Sequence, residues 1–531
     1  MRQTRVGFGT HARMAAQAQM SAAPLLSQER GAGSDRSAAE PAAALGMLRQ
    51  KVDALAAESI APAQRFAALE GLRAGAIAAS ESRQATYAGK PIPLADGERQ
   101  SWEDVVGLWQ AFYLAYALCA DADQEAATAA SVSQRALDSL GRAIRAHTQA
   151  YRAVPGTIWK EFHSCYRSAG DCSLAETPVR DPHHANSETC CKHAYVGTLL
   201  YECANPYALA AAQMRLLAQW LPHWLGLIDI MASEPLWASR SPLALDLGGE
   251  VGARLAREVG TGDSVRYLDT SALGMRLREL ADCLRNDRSA AELQAAGETP
   301  RAALERLLTH LYVQWCSAGS ATGDERQGDA LRAQIALGMY AVHFQISGRA
   351  FRQPGLRYTR EEEHDLATFG HITERTEHRL LTGRSAALEP WDLMSQNSTG
   401  LTMRRKADLP ARIAYGQLVA MRTSSIDAPS LGVVQRLKVD ASGETHIGMR
   451  LVRGEARGVA LRATGDPGQK YERALLIEAD AQRAIPATLV IEPGRFAPGS
   501  RVEMHTSRAE QVTIGAYVER GFDFDRVAFA P

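Results

Sequence analysis

Apolar residues change their spacing once along this chain, from the three-to-four-residue beat of helices to the two-residue beat of strands. That change restricts the fold to a helical layer followed by a strand layer. Leu137, Leu140 and Ile144 recur at i, i+3, i+7, and Leu273, Leu277, Leu280 and Leu284 at i, i+4, i+7, i+11. Leu304, Leu307, Leu308, Leu311 and Trp315 make a third helical stripe. Trp102, Trp109, Phe112, Tyr113 and Tyr116 fall at helical spacing and read as packing between helices. Beyond about residue 390 the pattern is short runs rich in Val, Ile, Leu and Thr between Gly, Asp and Ser turns. These runs are Gly416–Arg422, Leu431–Val439, Thr445–Val452, Arg473–Ile477, Ala487–Ile491, Arg501–Met504, Val512–Val518 and Phe522–Phe529. The expectation is an α+β protein: a large all-helical N-terminal region built as a helix-hairpin stack, then an antiparallel β-barrel, then a further small β-unit. The expected boundaries are 1–44 (disordered), 45–350 (helical), 351–465 (barrel) and 466–531 (β extension), with breaks at Ser168–Glu188 and Ala318–Gly328.

Composition removes several function classes. With 59 Lys+Arg against 60 Asp+Glu the formal charge is −1, which gives no footprint for a nucleic-acid polymer or a membrane surface. No run reaches the roughly 18 apolar residues of a membrane helix. The longest, Leu216–Met231, is broken by Gln219, Pro222, His223 and Asp229. The first 45 residues lack a signal-peptide core, so the expected compartment is the cytoplasm. Eight cysteines at this length form no disulfide framework. Five of them lie between 165 and 203 beside His163, His183, His184 and His193, but adjacent Cys190 and Cys191 and the seven-residue step from Cys165 to Cys172 do not match zinc-ligand spacing. No metal is expected there, and a metal-dependent enzyme on that cluster is the more remote alternative. There is no phosphate-binding glycine loop, no G-x-S-x-G and no H-E-x-x-H, so no enzyme is expected and no cofactor.

Two arginines four residues apart, Arg375 and Arg379, precede the polar turn Ser395-Gln396-Asn397-Ser398-Thr399-Gly400, and strands follow, including Ile447-Gly448-Met449 with a glycine inside an apolar run. The order R-x-x-x-R, polar turn, small barrel resembles the PilZ family of cyclic-di-GMP receptors. The wider layout is similar to proteobacterial cyclic-di-GMP-binding proteins with a long helical region before a PilZ-like barrel, as are Ala204–Tyr207, Tyr267–Thr270, Ala367–Gly370 and Glu519–Arg526. The resemblance implies that Arg375 and Arg379 hold phosphate and guanine, since a guanidinium forks onto phosphate oxygens or a guanine O6/N7 edge. It also implies that Ser395 and Asn397 hydrogen-bond guanine edges and that Gly400 lets backbone approach. Such a receptor passes its signal through the helical region to a protein partner. Ser395 and Asn397 stand where the family usually has Asp or Asn and Ser, which supports a second reading: a scaffold that binds no nucleotide and serves only as an interaction module.

Overall fold

The structure is a computed structural model. It describes residues 36–121, 123–184, 187–235, 242–317, 331–354, 360–369, 388–397, 399–405, 411–423, 426–464, 469–480 and 483–531. The chain divides into two compact units, residues 1–90 with 94–322, and residues 91–93 with 323–531.

The first unit is a stack of helices: Arg36–Ala57, Pro62–Tyr87, Asp96–Ala117, Ala126–Gln149, Gly156–Asp171, Cys191–Cys203, Ala211–Trp220, Ser271–Arg285 and Arg301–Cys316. Local chemistry starts them where the sequence suggests. Pro62 opens the second, and the Glu98 carboxylate accepts from the Ala95 backbone amide at 2.8 Å at the start of the third. The aromatic stripe packs inward, with Trp109, Phe112, Tyr113 and Tyr116 all buried. The leucine stripes do the same: Leu137, Leu140, Ile144, Leu273, Leu277, Leu280, Leu304, Leu307, Leu308, Leu311 and Trp315 are buried.

The region is not wholly helical. It carries a two-stranded ladder, β1 (Val179–Arg180) with β2 (Glu188–Thr189). It also carries a four-stranded antiparallel sheet of β3 (Asp229–Met231), β4 (Leu243–Asp246), β5 (Arg254–Leu255) and β6 (Val265–Asp269), in the order β3-β6-β4-β5. These strands are two to five residues long, too short for a two-residue beat to register.

The polar stretch after the fifth helix is tied down by a buried ion network. Asp181, 2% exposed, takes a bidentate grip from Arg73 at 2.7 Å and 2.7 Å. Arg135 donates to the same carboxylate at 3.2 Å, to both Glu70 oxygens at 3.1 Å and to the Arg180 carbonyl at 3.1 Å. Asp138 bridges Arg73 (3.0 Å) and Arg142 (2.9 Å).

The second unit holds two closed six-stranded barrels. The first comprises β7 (Leu331–Leu337), β8 (Glu389–Gln396), β9 (Gly400–Arg405), β10 (Leu418–Thr423), β11 (Ile426–Val439) and β12 (Thr445–Leu451), in the order β10-β11-β12-β9-β8-β7. Pairing of β7 with β10, Leu337 opposite Val419, closes it. The second comprises β13 (Ala456–Ala463), β14 (Glu472–Ile477), β15 (Thr488–Ile491), β16 (Arg501–His505), β17 (Ala509–Arg520) and β18 (Asp525–Ala530), in the order β13-β14-β15-β18-β17-β16. Ala460 opposite His505 closes it. All neighbours are antiparallel.

Two boundaries differ from the sequence reading. The units part near residue 322 rather than 350, because β7 and the helix after it belong with the barrels. The C-terminal β extension begins at Ala456 and is a complete barrel, closed by the pairing of β13 with β16.

The helix Gly338–Ser347 joins the barrels' cores. Met339, Ala341 and Val342 pack in one cluster with Leu418, Ala420, Leu431 and Val433 of the first barrel and Leu475, Ile477 and Val490 of the second. Gly338 (φ +81°) turns β7 straight into this helix, and Gly348 (φ +68°) ends it, its amide donating to the Phe344 carbonyl at 2.9 Å. The barrels also meet at Asp523. The Leu418 amide donates to its Oδ1 at 2.9 Å, while Oδ2 is buried without a partner.

Candidate ligand-binding site

Of the residues the PilZ resemblance singles out, Arg375 and Arg379 lie outside the described residues. The other three form the β8–β9 hairpin. Asn397 Oδ1 accepts from the Thr399 amide (2.9 Å), the Thr399 hydroxyl (2.9 Å) and the Gly400 amide (2.8 Å), which is a side-chain turn of the Asx type. Its own amide donates to the Gly400 carbonyl at 3.0 Å. Ser395 sits at an irregularity in the β8–β9 register, opposite Thr402. Gly400 faces the backbone of β12: a Cβ there would fall 2.5 Å from the Met449 carbonyl oxygen. The close approach that needs this glycine is therefore between strands.

A second arrangement has no counterpart in the sequence reading. A cavity of about 400 Å³ lies over the seam where β13 and β16 close the second barrel. Gly458, Val459 and Ala460 of β13 and His505 and Thr506 at the end of β16 form one wall. The end of the helix Gly338–Ser347 and the segment 349–354 form the other. Gln353 staples that segment to the barrel: its amide donates to the Tyr471 carbonyl and its oxygen accepts from the Tyr471 amide, both at 2.7 Å. Gly458 is what lets the helix lie so close. A Cβ on it would meet His343 Nε2 at 2.8 Å and overlap Ser347 Oγ.

The cavity wall is cationic. Among the described residues it contains Arg349, Arg352, His343 and His505 and no carboxylate, in a chain whose acids and bases are balanced. Arg473 stands behind it, its guanidinium 5.5 Å from the Phe351 ring and 4.8 Å from the Tyr340 ring. His343 reports this field. Burial, then the charges of Arg473 and Arg349, push its pKa down to about 4, with the nearby Val459 backbone pulling the other way, so the imidazole is neutral at pH 7. Its Nδ1 lies 3.0 Å from Ser347 Oγ, which itself donates to the His343 carbonyl at 2.5 Å, while Nε2 is buried with no well-formed hydrogen bond. A cationic, partly apolar cavity of this size is chemistry for an anionic ligand with a planar part.

The Cys/His cluster of the first unit is packed rather than convergent. Cys165 and Cys191 donate weakly to the Ser133 and Ala130 carbonyls, and Cys203 to Ala253. Burial raises these thiols above their ordinary pKa, Cys191 to about 12. His163 is held by the Tyr195 hydroxyl (2.6 Å) and the Val251 carbonyl (2.8 Å). Among the described residues the three ligand-type side chains that do converge are Asp440, Glu444 and His446, on the β11–β12 hairpin. There Asp440 Oδ1 is occupied by the Ser442 and Glu444 amides at 2.9 and 3.0 Å and Oδ2 by His446 at 2.8 Å.

Comparison with known proteins finds matches to two family models. A family model described as the N-terminal domain of the cyclic-di-GMP receptor FimW matches residues 34–234, and one described as the FimW C-terminal beta-barrel domain matches residues 458–531. Both FimW domain models thus match this chain, in N-to-C order. The barrel-domain model falls on the second barrel, where the sequence predicts a β extension. The chain is also similar to the cyclic-di-GMP receptor FimW of Pseudomonas aeruginosa, at 24% identity over 435 residues that cover 72% of this chain and 68% of the relative. No solved structure matches. No described helix is long and apolar enough to cross a membrane.

Proposed function

We propose that this protein is a non-catalytic cyclic-di-GMP receptor whose barrel unit binds the nucleotide and whose helical unit carries the result to a protein partner. The observation behind this reading is that both FimW domains match in order, and that the similar protein from Pseudomonas aeruginosa is named a receptor for that nucleotide. Arg375 and Arg379 supply the fork that suits phosphate and guanine. Ser395 and the amide nitrogen of Asn397 are the turn's donors for guanine, Asn397 Oδ1 being spent on the hairpin. Free thiols at all eight cysteines suit the reducing cytoplasm.

Calorimetric titration of the full chain with cyclic-di-GMP tests the reading. Arg375→Ala or Arg379→Ala removes a charge-assisted bond and weakens binding about 10- to 100-fold. Hydrogen exchange of the helical unit, measured with and without ligand, reads the coupling. Absence of binding at high micromolar ligand overturns the receptor reading and leaves an interaction scaffold.

A further inference from the structure

We infer that Arg450 is a further contact for a phosphate of the cyclic dinucleotide and that Glu519 holds that place until the ligand takes it, so that binding beside the β8–β9 turn frees a tie between the two barrels. This rests on the cyclic-di-GMP reading and deepens it, naming a ligand contact on β12 and a competitor for it on β17.

Register puts Arg450 between the turn and the core that the barrels share. Gly400 on β9, Arg450 on β12 and Val433 on β11 stand opposite one another in one row, and directly opposed residues share a face of the sheet. Met449 is 3% exposed, so strand alternation turns Arg450 to the outer face, beside Gly400. A Cβ on Gly400 would lie 3.8 Å from the Arg450 Cα, and the Leu451 amide donates to the Thr399 carbonyl at 3.0 Å. At the other end of the row, Val433 belongs to the shared core. The second barrel mirrors this. Glu519 on β17 stands opposite Arg526 on β18, which stands opposite Val490 on β15, a residue of the same core.

Across the seam the Arg450 guanidinium donates to the Glu519 carboxylate. The two side chains are 38% and 24% exposed, so a ligand at the turn can reach them. The exchange is favourable by magnitude. A partly exposed ion pair is worth up to about fivefold in an equilibrium, and a forked phosphate contact on the order of 10- to 100-fold. Nor does it strand Glu519. Burial lowers the Arg526 pKa, Glu519 opposes that and Arg450 adds to it, so one carboxylate stands in the field of two guanidiniums. A phosphate that takes Arg450 leaves Glu519 facing Arg526.

Titration of the full chain with cyclic-di-GMP tests the exchange. Glu519→Gln keeps the shape and removes the competing charge, and is expected to tighten binding about 2- to 5-fold. Arg450→Ala is expected to weaken it about 10-fold or more, and Arg450→Lys less, because the ammonium keeps charge but loses the fork. Added to Arg450→Ala, Glu519→Gln should bring no tightening, since its effect runs through Arg450. Glu510→Gln, on the same strand but paired with Arg508, should leave affinity unchanged. Hydrogen exchange at the Phe522 amide, bonded across the seam to the Gly416 carbonyl at 2.8 Å, should quicken with ligand in the parent and not in Arg450→Ala. If the parent binds but Glu519→Gln does not tighten, tightens equally on Arg450→Ala, or tightens no more than Glu510→Gln, the exchange is refuted. Arg450→Ala binding as the parent does refutes the contact, and an unchanged Phe522 rate refutes the freed tie. The receptor reading survives each of these. If the parent binds no cyclic-di-GMP, both fail.

Discussion

Replacing Asp181 tests the account of the helical unit most sharply. Three arginines (Arg73, Arg135, Arg142) and three carboxylates (Glu70, Asp138, Asp181) interlock there, and Arg73, Arg135 and Asp181 are each no more than 3% exposed. Removing one partner of a buried ion pair costs about 3–5 kcal/mol, because the other charge is left without compensation. The lower end applies here: Arg73 keeps Asp138 at 3.0 Å, and Arg135 keeps Glu70 at 3.1 Å. Asp181→Ala also frees the His183 amide that donates to Oδ1 at 3.0 Å, worth about 1 kcal/mol. The expected loss is about 3–4 kcal/mol. Seven of the eight tryptophans fall within residues 1–322, so tryptophan fluorescence during urea unfolding follows this unit. A double variant, Arg73→Met with Asp181→Leu, removes charge and counter-charge together and should recover at least about 2 kcal/mol of the single loss. The pH dependence has a definite sign. Arg73, by hydrogen bond and charge, then Arg135, hold the Asp181 carboxyl below its ordinary value against the opposing effect of burial. Its contribution is therefore present above about pH 4 and lost as pH falls through the depressed value, so parent and Asp181→Ala should converge in acid. A loss under about 1 kcal/mol at neutral pH, or a double variant no more stable than the single one, would refute the argument.

Two further outcomes follow from the barrel unit. Burial pushes the Asp523 carboxyl up to about 6 from 3.8, so the stability it contributes is full below about pH 4 and is lost as pH rises towards 6. About two units correspond to roughly 3 kcal/mol, so Asp523→Asn should raise the melting temperature at pH 7.5 and not at pH 4; an equal effect at both would show that its charge is not the cause. Gly400→Ala drives a methyl into the Met449 carbonyl and should cost about 1–3 kcal/mol without any ligand; unchanged stability with weakened cyclic-di-GMP binding would instead return this glycine to a ligand role.

What was legible in the sequence follows from which interactions are local. The leucine and aromatic stripes were readable because each helix buries one face, and those residues are the core. The strands Leu418–Thr423, Thr445–Leu451, Glu472–Ile477 and Thr488–Ile491 lie within two residues of the expected runs, since each has turn residues at its ends. β7 is not legible as a strand although Ala333 and Ile335 are buried and Arg332 and Gln334 are not. Its Leu, Arg, Ala and Gln are good helix formers, and Gly338 leads directly into a helix, so only pairing with β8 and β10 makes it a strand. The Ser168–Glu188 stretch looks like a solvated loop because its anchor, Arg73, is 108 residues from Asp181. The resemblance points to Asn397 as a guanine contact, but the sequence does not reveal that its oxygen is committed to Thr399 and Gly400. The cavity was the least legible feature of all. Arg349 and Arg352 look like any basic pair after a helix, and they come to line a cavity only when Gly458 and His505, more than a hundred residues on, are brought up to them. Ala460 and His505 are barrel-closing partners, so the wall exists only once the barrel has closed, and its charge is a property of topology rather than of any motif.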